Sequence, residues 1–185
     1  MRRLLLLSIL CLAPAWAAGE LSNRRAPGFS LPDSNIQQHD IADYRGKIVL
    51  LELMQTSCPH CVKFAGVLEE ISRKYAGRVQ VLSIVTPPDT TATVGPFIRQ
   101  HNITYPILFD CGQATGSYMM ATPQKPSFDI PHVFLIDQEG IIRNDFGYGP
   151  LTTAIFEGRG LFAEVDKMLA SPGSGAPPKA APKKP

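Results

Sequence analysis

An almost unbroken apolar run over residues 48–54, Ile-Val-Leu-Leu-Glu-Leu-Met, leads into a Cys-Pro-His-Cys motif at residues 58–61. A run of this length without polar alternation is typical of a central strand of a parallel sheet, covered on both faces. The apolar spacing after the motif predicts a helix to about Tyr75, ended by Gly77. Two cysteines at this spacing, where a strand meets a helix, indicate a thiol–disulfide exchange centre.

Further apolar segments, separated by turn signals, predict an α/β domain with a mixed sheet. The other predicted strands span residues 79–85, 107–109, 133–136 and 141–146, and further helices span 94–101 and 151–169. Residues 19–26 are expected to be a flexible lead-in, and the alternating segment 36–41 suits a short edge hairpin. The charged residues of the first helix are expected to lie on its outer side: Lys63, Glu69, Glu70, Arg73 and Lys74.

The first residues have the features of a secretory leader. Arg2 and Arg3 precede an apolar run over residues 4–12, and the small residues after it predict cleavage behind Ala17 or Ala18. The run is too short for a stable transmembrane helix, so we expect an exported, periplasmic protein with no membrane span after cleavage. The alternative is an uncleaved leader that tethers the protein to the membrane.

The predicted organisation is a leader over residues 1–18, one domain over 19–170, and a disordered tail over 171–185 rich in proline, alanine and lysine. The formal net charge of +2 falls to zero without the leader arginines. Without the lysines of the tail, the predicted domain is left with a charge of about −3. A charge of this size does not indicate nucleic acid or an anionic membrane surface as a partner.

One cysteine has no evident pairing partner. Cys11 would leave with the leader, and Cys58 and Cys61 form a natural pair, so Cys111 remains in a compartment that favours disulfides. It follows a predicted parallel strand whose end would lie at the same edge of the sheet as Cys58. Cys111 is therefore a candidate extra redox thiol, and the alternative is an inert, partly buried cysteine.

Three more segments, together with the Cys-Pro-His-Cys motif, resemble a known family. They are Ala-Pro-Gly-Phe-Ser-Leu-Pro-Asp at residues 26–33, Tyr-Arg-Gly-Lys at 44–47 and Ile-Pro-His-Val-Phe-Leu-Ile-Asp at 130–137. In this order they resemble redoxin proteins of the TlpA/ResA type, which are exported bacterial thiol–disulfide oxidoreductases, over about residues 26–169. The resemblance implies a thioredoxin-like fold with a redoxin-type N-terminal hairpin and a central insertion.

The resemblance also implies a cis peptide bond between Ile130 and Pro131. These two residues would face the motif and pair with an extended segment of the substrate. The chain departs from many relatives at Ser57, where they carry Trp, and this departure concerns the docking surface beside the thiol.

The motif residues suit thiol–disulfide exchange. At a helix N-terminus, unpaired backbone N–H groups and the positive end of the helix dipole stabilise the thiolate of Cys58, which is the attacking species. Pro59 fits the first helical turn, and protonated His60 adds positive charge near the sulfur. The motif resembles that of strongly oxidising disulfide-forming proteins. Cys61 is expected to resolve the mixed disulfide that Cys58 forms with a substrate.

Glu52 is the only charged residue in the run 48–54. It occupies the position where thioredoxin has a buried Asp and protein disulfide isomerase a Glu. A carboxyl buried beneath the motif should have a raised pKa and act as a proton relay for Cys61. The alternative is an outward-facing residue on a less buried strand.

No cofactor is expected beyond the redox-active Cys58–Cys61 disulfide. No metal is expected either, because zinc would need two further ligands. The expected partners are proteins with thiols or disulfides and a membrane or periplasmic redox partner, acting in cytochrome c maturation or in general disulfide exchange.

Two other functions stay open as alternatives. A peroxiredoxin-like thiol peroxidase shares the fold, but residues 54–57 supply only part of the usual context of its cysteine. A Sco-like copper metallochaperone normally has a Cys-x-x-x-Cys spacing and a distant histidine. His132 directly follows Pro131, but the spacing of the two cysteines does not match.

Overall fold

In a computed structural model of the protein, residues 19–125 and 127–170 are described. The predicted leader at residues 1–18 and the predicted tail at residues 171–185 lie outside the described residues. Across the described ranges, no helix combines the length and the apolar character needed to cross a membrane.

The apolar run forms the strand at the centre of a mixed sheet. This strand, β4 (Ile48–Met54), has every residue buried. It runs parallel to β5 (Val79–Val85) on one side and antiparallel to β7 (His132–Ile136) on the other. The other strands of this sheet are β1 (Arg24–Arg25), β6 (Ile107–Phe109) and β8 (Ile141–Gly147), and the order across it is β1-β8-β7-β4-β5-β6.

A separate hairpin precedes the central strand, as the sequence predicted. Its strands are β2 (Ser30–Pro32) and β3 (Gln38–Asp40), followed by a short 3-10 helix, Ile41–Tyr44. Asp33 forms an isolated antiparallel bridge with Leu108 of β6. The hairpin therefore lies along the outer edge of the main sheet.

Helices cover both faces of the sheet. Successive side chains of β4 point to opposite faces, and those on each face pack in a separate apolar core. The helices are α1 (Pro59–Lys74), α2 (Thr91–His101), α3 (Gln113–Tyr118), α4 (Thr153–Phe156) and α5 (Arg159–Ala170). Leu50 belongs to the core that contains buried residues of α1, α2 and α5. Leu51 belongs to the opposite core, which contains Tyr118 of α3.

Residues 19–26, predicted to be a flexible lead-in, are part of the fold, so that prediction was wrong. Leu21 and Ala26 are buried, and β1 pairs with β8. The backbone N–H of Leu21 donates to the carboxylate of Asp145 at 3.0 Å. The partners that order this segment lie more than a hundred residues further along the chain, where local patterns give no sign of them.

The single helix predicted over residues 151–169 is two helices, α4 and α5. Gly158 lies between them with a φ of 97°, a left-handed conformation that side-chain-bearing residues rarely adopt. A Cβ atom at this position would lie 3.1 Å from Cγ1 of Val67 in α1. The glycine therefore ends α4 and lets the chain approach α1 closely.

The prediction that Glu69 lies on the outer side of α1 was also wrong. Its side chain is buried, and its carboxylate accepts hydrogen bonds from the backbone N–H of Thr104 at 2.9 Å and from the Thr104 hydroxyl at 2.8 Å. Arg73 donates to the same carboxylate at 2.9 Å. Glu69 thus joins α1 to the connection between α2 and β6.

Candidate active site

The first cysteine of the motif caps the helix that follows β4. Cys58 has an extended backbone, and its Sγ accepts a hydrogen bond from the backbone N–H of Cys61 at 3.3 Å. Pro59 occupies the first helical position, where a missing N–H costs nothing. Cys58 is half-buried and Cys61 is fully buried. One sulfur is therefore accessible to a partner, and the other lies beneath it.

The loop between α3 and β7 faces Cys58. The peptide bond between Ile130 and Pro131 is cis, as the resemblance implied. The carbonyl oxygen of Ile130 lies 4.0 Å from the Sγ atom of Cys58. The two residues expected to bind substrate are therefore next to the half-buried thiol, although 72 positions separate Cys58 from Ile130.

Glu52 lies on the same face of the sheet as α1, within the fully buried strand β4. It is opposite Ser83 of β5, whose hydroxyl donates to Oε2 at 2.5 Å. The other carboxylate oxygen, Oε1, has no hydrogen-bond partner among the described residues. Burial raises the pKa of Glu52 to about 8, and the hydrogen bond from Ser83 offsets part of that rise.

The pKa of the buried thiol, Cys61, depends on this carboxyl. Burial raises the pKa of Cys61, and Glu52 raises it further when it is ionised. Cys61 is therefore a neutral thiol at neutral pH, and it needs a base before it can act as a nucleophile. Glu52 is the ionisable group whose charge acts most strongly on it.

His60 is exposed in the first turn of α1 and stacks on Tyr148, which follows β8. The two ring centroids are 4.0 Å apart and the ring planes are inclined by 24°. The backbone N–H of Tyr148 donates to the carbonyl oxygen of Pro131 at 3.0 Å. Sequence reasoning missed Tyr148, because nothing in the sequence connects it with a motif 88 positions earlier.

Two further residues that the sequence analysis missed support the motif. Asp89, after the second cis peptide bond at Pro87–Pro88, accepts hydrogen bonds from the N–H of Thr56, at 2.9 Å, and from its hydroxyl. This contact holds the turn that leads into Cys58. Ser83 was detectable, because Glu52 and Ser83 are each the polar fifth residue of a predicted buried strand.

Cys111 is exposed and follows β6, at the same edge of the sheet as the end of β4. Two strand spacings of about 4.8 Å each separate β4 from β6, so the ends of these two strands lie about 10 Å apart. A disulfide requires Cα atoms within roughly 7 Å. The ends of β4 and β6 are thus too far apart for a disulfide between them, and Cys58 and Cys111 are both free cysteines.

His132 is buried within β7, directly after Pro131. Its Nε2 lies 3.3 Å from the carboxylate of Asp145 in β8, and its ring contacts Phe134. Among residues 19–125 and 127–170, no group of three or more His, Cys, Asp or Glu side chains is arranged to hold a metal ion.

Comparisons with known proteins agree with this geometry. Residues 23–145 match the sequence model of the AhpC/TSA family. Thioredoxin-like protein YneN of Bacillus subtilis is 25% identical over 136 residues, which cover 72% of this chain and 75% of the relative. Thiol-disulfide oxidoreductase ResA of Bacillus cereus is 26% identical over 118 residues, and the match covers 63% of this chain and 64% of that protein.

Solved structures confirm the predicted thioredoxin-like fold. A putative thioredoxin from Neisseria meningitidis superposes with a TM-score of 0.65 at 23% identity, covering 83% of this chain and 95% of that chain. A putative thiol:disulfide interchange protein DsbE from Chlorobium tepidum gives a TM-score of 0.62 at 23% identity, covering 77% and 96%.

Proposed function

Since the chain belongs to the AhpC/TSA family and has a thioredoxin-like fold, we propose that it is a thiol–disulfide oxidoreductase of the ResA/DsbE type. The observation that carries the proposal is the pair of thiols at the N-terminus of α1. Cys58 is half-buried beside the carbonyl oxygen of Ile130, and Cys61 is buried above a buried carboxyl.

In the reductive direction, the thiolate of Cys58 attacks a disulfide of the substrate protein. A bond forms between Cys58 and one substrate sulfur, and the other substrate sulfur leaves as a thiolate that takes a proton from water. Glu52, in its ionised form, accepts the proton of Cys61, and the resulting thiolate attacks Cys58 Sγ. The bond between Cys58 and the substrate breaks, and the second substrate sulfur leaves as a thiolate that takes up a proton. The products are the Cys58–Cys61 disulfide and a substrate reduced by two electrons, and the reverse sequence oxidises a dithiol.

The pKa of Glu52, about 8, suits this role, because a group that titrates near the working pH both accepts and donates protons. The backbone N–H of Cys61 donates to Cys58 Sγ and stabilises the attacking thiolate, while Pro59 fits the first helical position without the loss of a helical hydrogen bond. Ile130 and Pro131 bind an extended segment of the substrate beside Cys58. No cofactor other than the two cysteines is required.

We assign the exchange to the periplasm on the basis of the predicted leader at residues 1–18. The substrates are then exported proteins with cysteine pairs, including apocytochromes that need free thiols for haem attachment. A membrane or periplasmic redox partner returns Cys58 and Cys61 to their starting state.

Reduction of insulin in the presence of dithiothreitol tests the proposal. The wild-type protein accelerates the reaction, Cys58→Ser lowers the rate to that of dithiothreitol alone, and Cys111→Ser, the matched substitution of an exposed cysteine, keeps the wild-type rate. The Cys61→Ser variant accumulates a mixed disulfide with a cysteine-containing substrate, visible as a reducible band. A wild-type protein that neither accelerates the reaction nor forms this adduct contradicts the assignment.

The same proteins separate exchange from the peroxidase alternative. A thiol peroxidase consumes hydrogen peroxide far faster than free cysteine does, with the rate lost in Cys58→Ser. The proposed oxidoreductase shows no such consumption, because its half-buried sulfur faces the carbonyl oxygen of Ile130, a surface that suits an extended peptide.

A further inference from the structure

Tyr148 connects the two halves of the candidate active site. Its backbone N–H donates to the carbonyl oxygen of Pro131 at 3.0 Å, which attaches it to the loop that faces Cys58. Its ring lies on the ring of His60, with centroids 4.0 Å apart and an interplanar angle of 24°. One residue therefore touches both the middle of the motif and the cis-proline loop.

The core holds the Tyr148 ring in place. The rings of Tyr148 and Phe156 in α4 form an edge-to-face pair with centroids 5.4 Å apart. Phe156 in turn packs on the fully buried Phe64 of α1, with ring centroids 4.7 Å apart. The ring of His60, in contrast, makes no hydrogen bond with any described residue. The stack with Tyr148 is thus the contact that orients the imidazole.

Resting on the proposed exchange function, we infer that Tyr148 is a positioning residue that holds His60 and thereby sets the redox poise of the Cys58–Cys61 pair. The face of a phenol ring carries negative charge, so it attracts a cation, such as an imidazolium, that lies over it. A cation in the first turn of α1 stabilises the Cys58 thiolate. Stabilising the thiolate favours the reduced pair and makes the disulfide a stronger oxidant.

The measurement is the equilibrium of the Cys58–Cys61 pair with reduced and oxidised glutathione. In Tyr148→Leu, we expect the equilibrium constant for reduction of the disulfide to fall about threefold, the size expected for an exposed cation–π contact. A threefold change corresponds to about 14 mV at 29.6 mV per tenfold. Tyr148→Phe keeps an aromatic face and is expected to restore the wild-type value.

Two controls separate the stack from a general effect of the loop. Leu151 lies three residues further along and is fully exposed, so Leu151→Ala is expected to leave the equilibrium unchanged. In a His60→Ala background, Tyr148→Leu is expected to have no effect, because the residue through which it acts is gone. An equal shift in that background, a similar shift in Leu151→Ala, or no shift in the single variant would overturn the inference.

Proton NMR reports the stack independently of any redox reaction. The imidazole protons of His60 are expected to be shifted upfield by the Tyr148 ring in the wild type and in Tyr148→Phe, but not in Tyr148→Leu. Wild-type protein without that shift contradicts the contact itself. If the wild type forms no Cys58–Cys61 disulfide with glutathione, the proposed function fails and this inference fails with it, whereas a disulfide that forms in the wild type but whose equilibrium is the same in Tyr148→Leu overturns this inference alone.

Discussion

At the scale of single residues, Glu52 lies in surroundings that are unfavourable for a carboxylate. It is fully buried in β4, and Ser83 supplies the one hydrogen bond its carboxyl receives from the described residues. Burying a carboxylate under these conditions is unfavourable, so the group stays protonated until about pH 8. An apolar side chain would pack at least as well here. The presence of a carboxyl is therefore better explained by proton transfer to and from Cys61 than by stability.

The raised pKa of Glu52 makes the stability of the protein depend on pH. Its ordinary value is 4.5 and its value in the fold is about 8, so between these the folded state holds a proton that the unfolded state has lost. The stabilisation of the folded state by this proton is fully present below pH 4.5 and is lost progressively as the pH rises from 4.5 to 8. Relative to Glu52→Gln, the wild type should lose about 1.4 kcal/mol of unfolding free energy per pH unit in this range.

Denaturant unfolding of both proteins between pH 5 and 8 measures this difference. Because the contributions of the other titrating groups are common to both proteins, they cancel when the two free energies are subtracted. A difference that stays constant across the range would show that Glu52 ionises in the fold as it does in the unfolded chain, and the proton-relay role would then lose its basis.

At the scale of elements, Glu69 anchors α1 to the chain between α2 and β6. Its carboxylate accepts both the backbone N–H and the hydroxyl of Thr104. In Glu69→Ala, two part-buried hydrogen bonds from Thr104 to a carboxylate are lost, which costs about 2 kcal/mol of unfolding free energy. Thermal or denaturant unfolding measures the loss.

The neighbouring Glu70 provides the matched control, because it is exposed on the same helix. Glu70→Ala is expected to change the unfolding free energy by less than about 0.5 kcal/mol. Equal effects of the two substitutions would mean that the anchoring contact contributes nothing, and that only helix propensity was altered.

The sequence predicts elements well where a local pattern decides them. The bounds of β5 and β6 match the prediction to the residue, because each is an apolar run between turn signals. Glu69 was misplaced because helical spacing alone cannot show that Thr104, 35 positions away, supplies its partners. The break at Gly158 was missed for a similar reason, since the close approach to Val67 is a tertiary contact.

The residues of the candidate site also fall into two groups, those that a local pattern predicts and those that depend on tertiary contacts. Cys58, Cys61 and Glu52 were identified from the motif and from one charge in an apolar run, and the structure brings all three to the N-terminal end of α1. Tyr148 could not be found, because its stacking on His60 depends on how β7 and β8 pair. Whatever depended on pairing between distant segments required the structure.

At the scale of the whole molecule, β4 is the platform on which the site is built. It carries Glu52, leads into Cys58, and has neighbours on both sides, with β7 bringing Ile130 and Pro131 to the sulfur. The sheet ends in the two short strands β1 and β6. The site therefore rests on the interior of the sheet rather than on an edge that opens locally.

Amide hydrogen exchange is expected to show this arrangement as a gradient of protection. Each amide of β4 points towards either β5 or β7, and separating either strand from the centre of the sheet amounts to global unfolding. Their exchange free energies should equal the unfolding free energy from denaturant titration. The amides of β6, a three-residue edge strand, should exchange through smaller openings, although the bridge between Asp33 and Leu108 partly covers that edge. If β4 exchanged as fast as β6, Glu52 and Cys61 would be reached by water through local opening, and the controlled proton transfer proposed between them would have no sheltered site in which to operate.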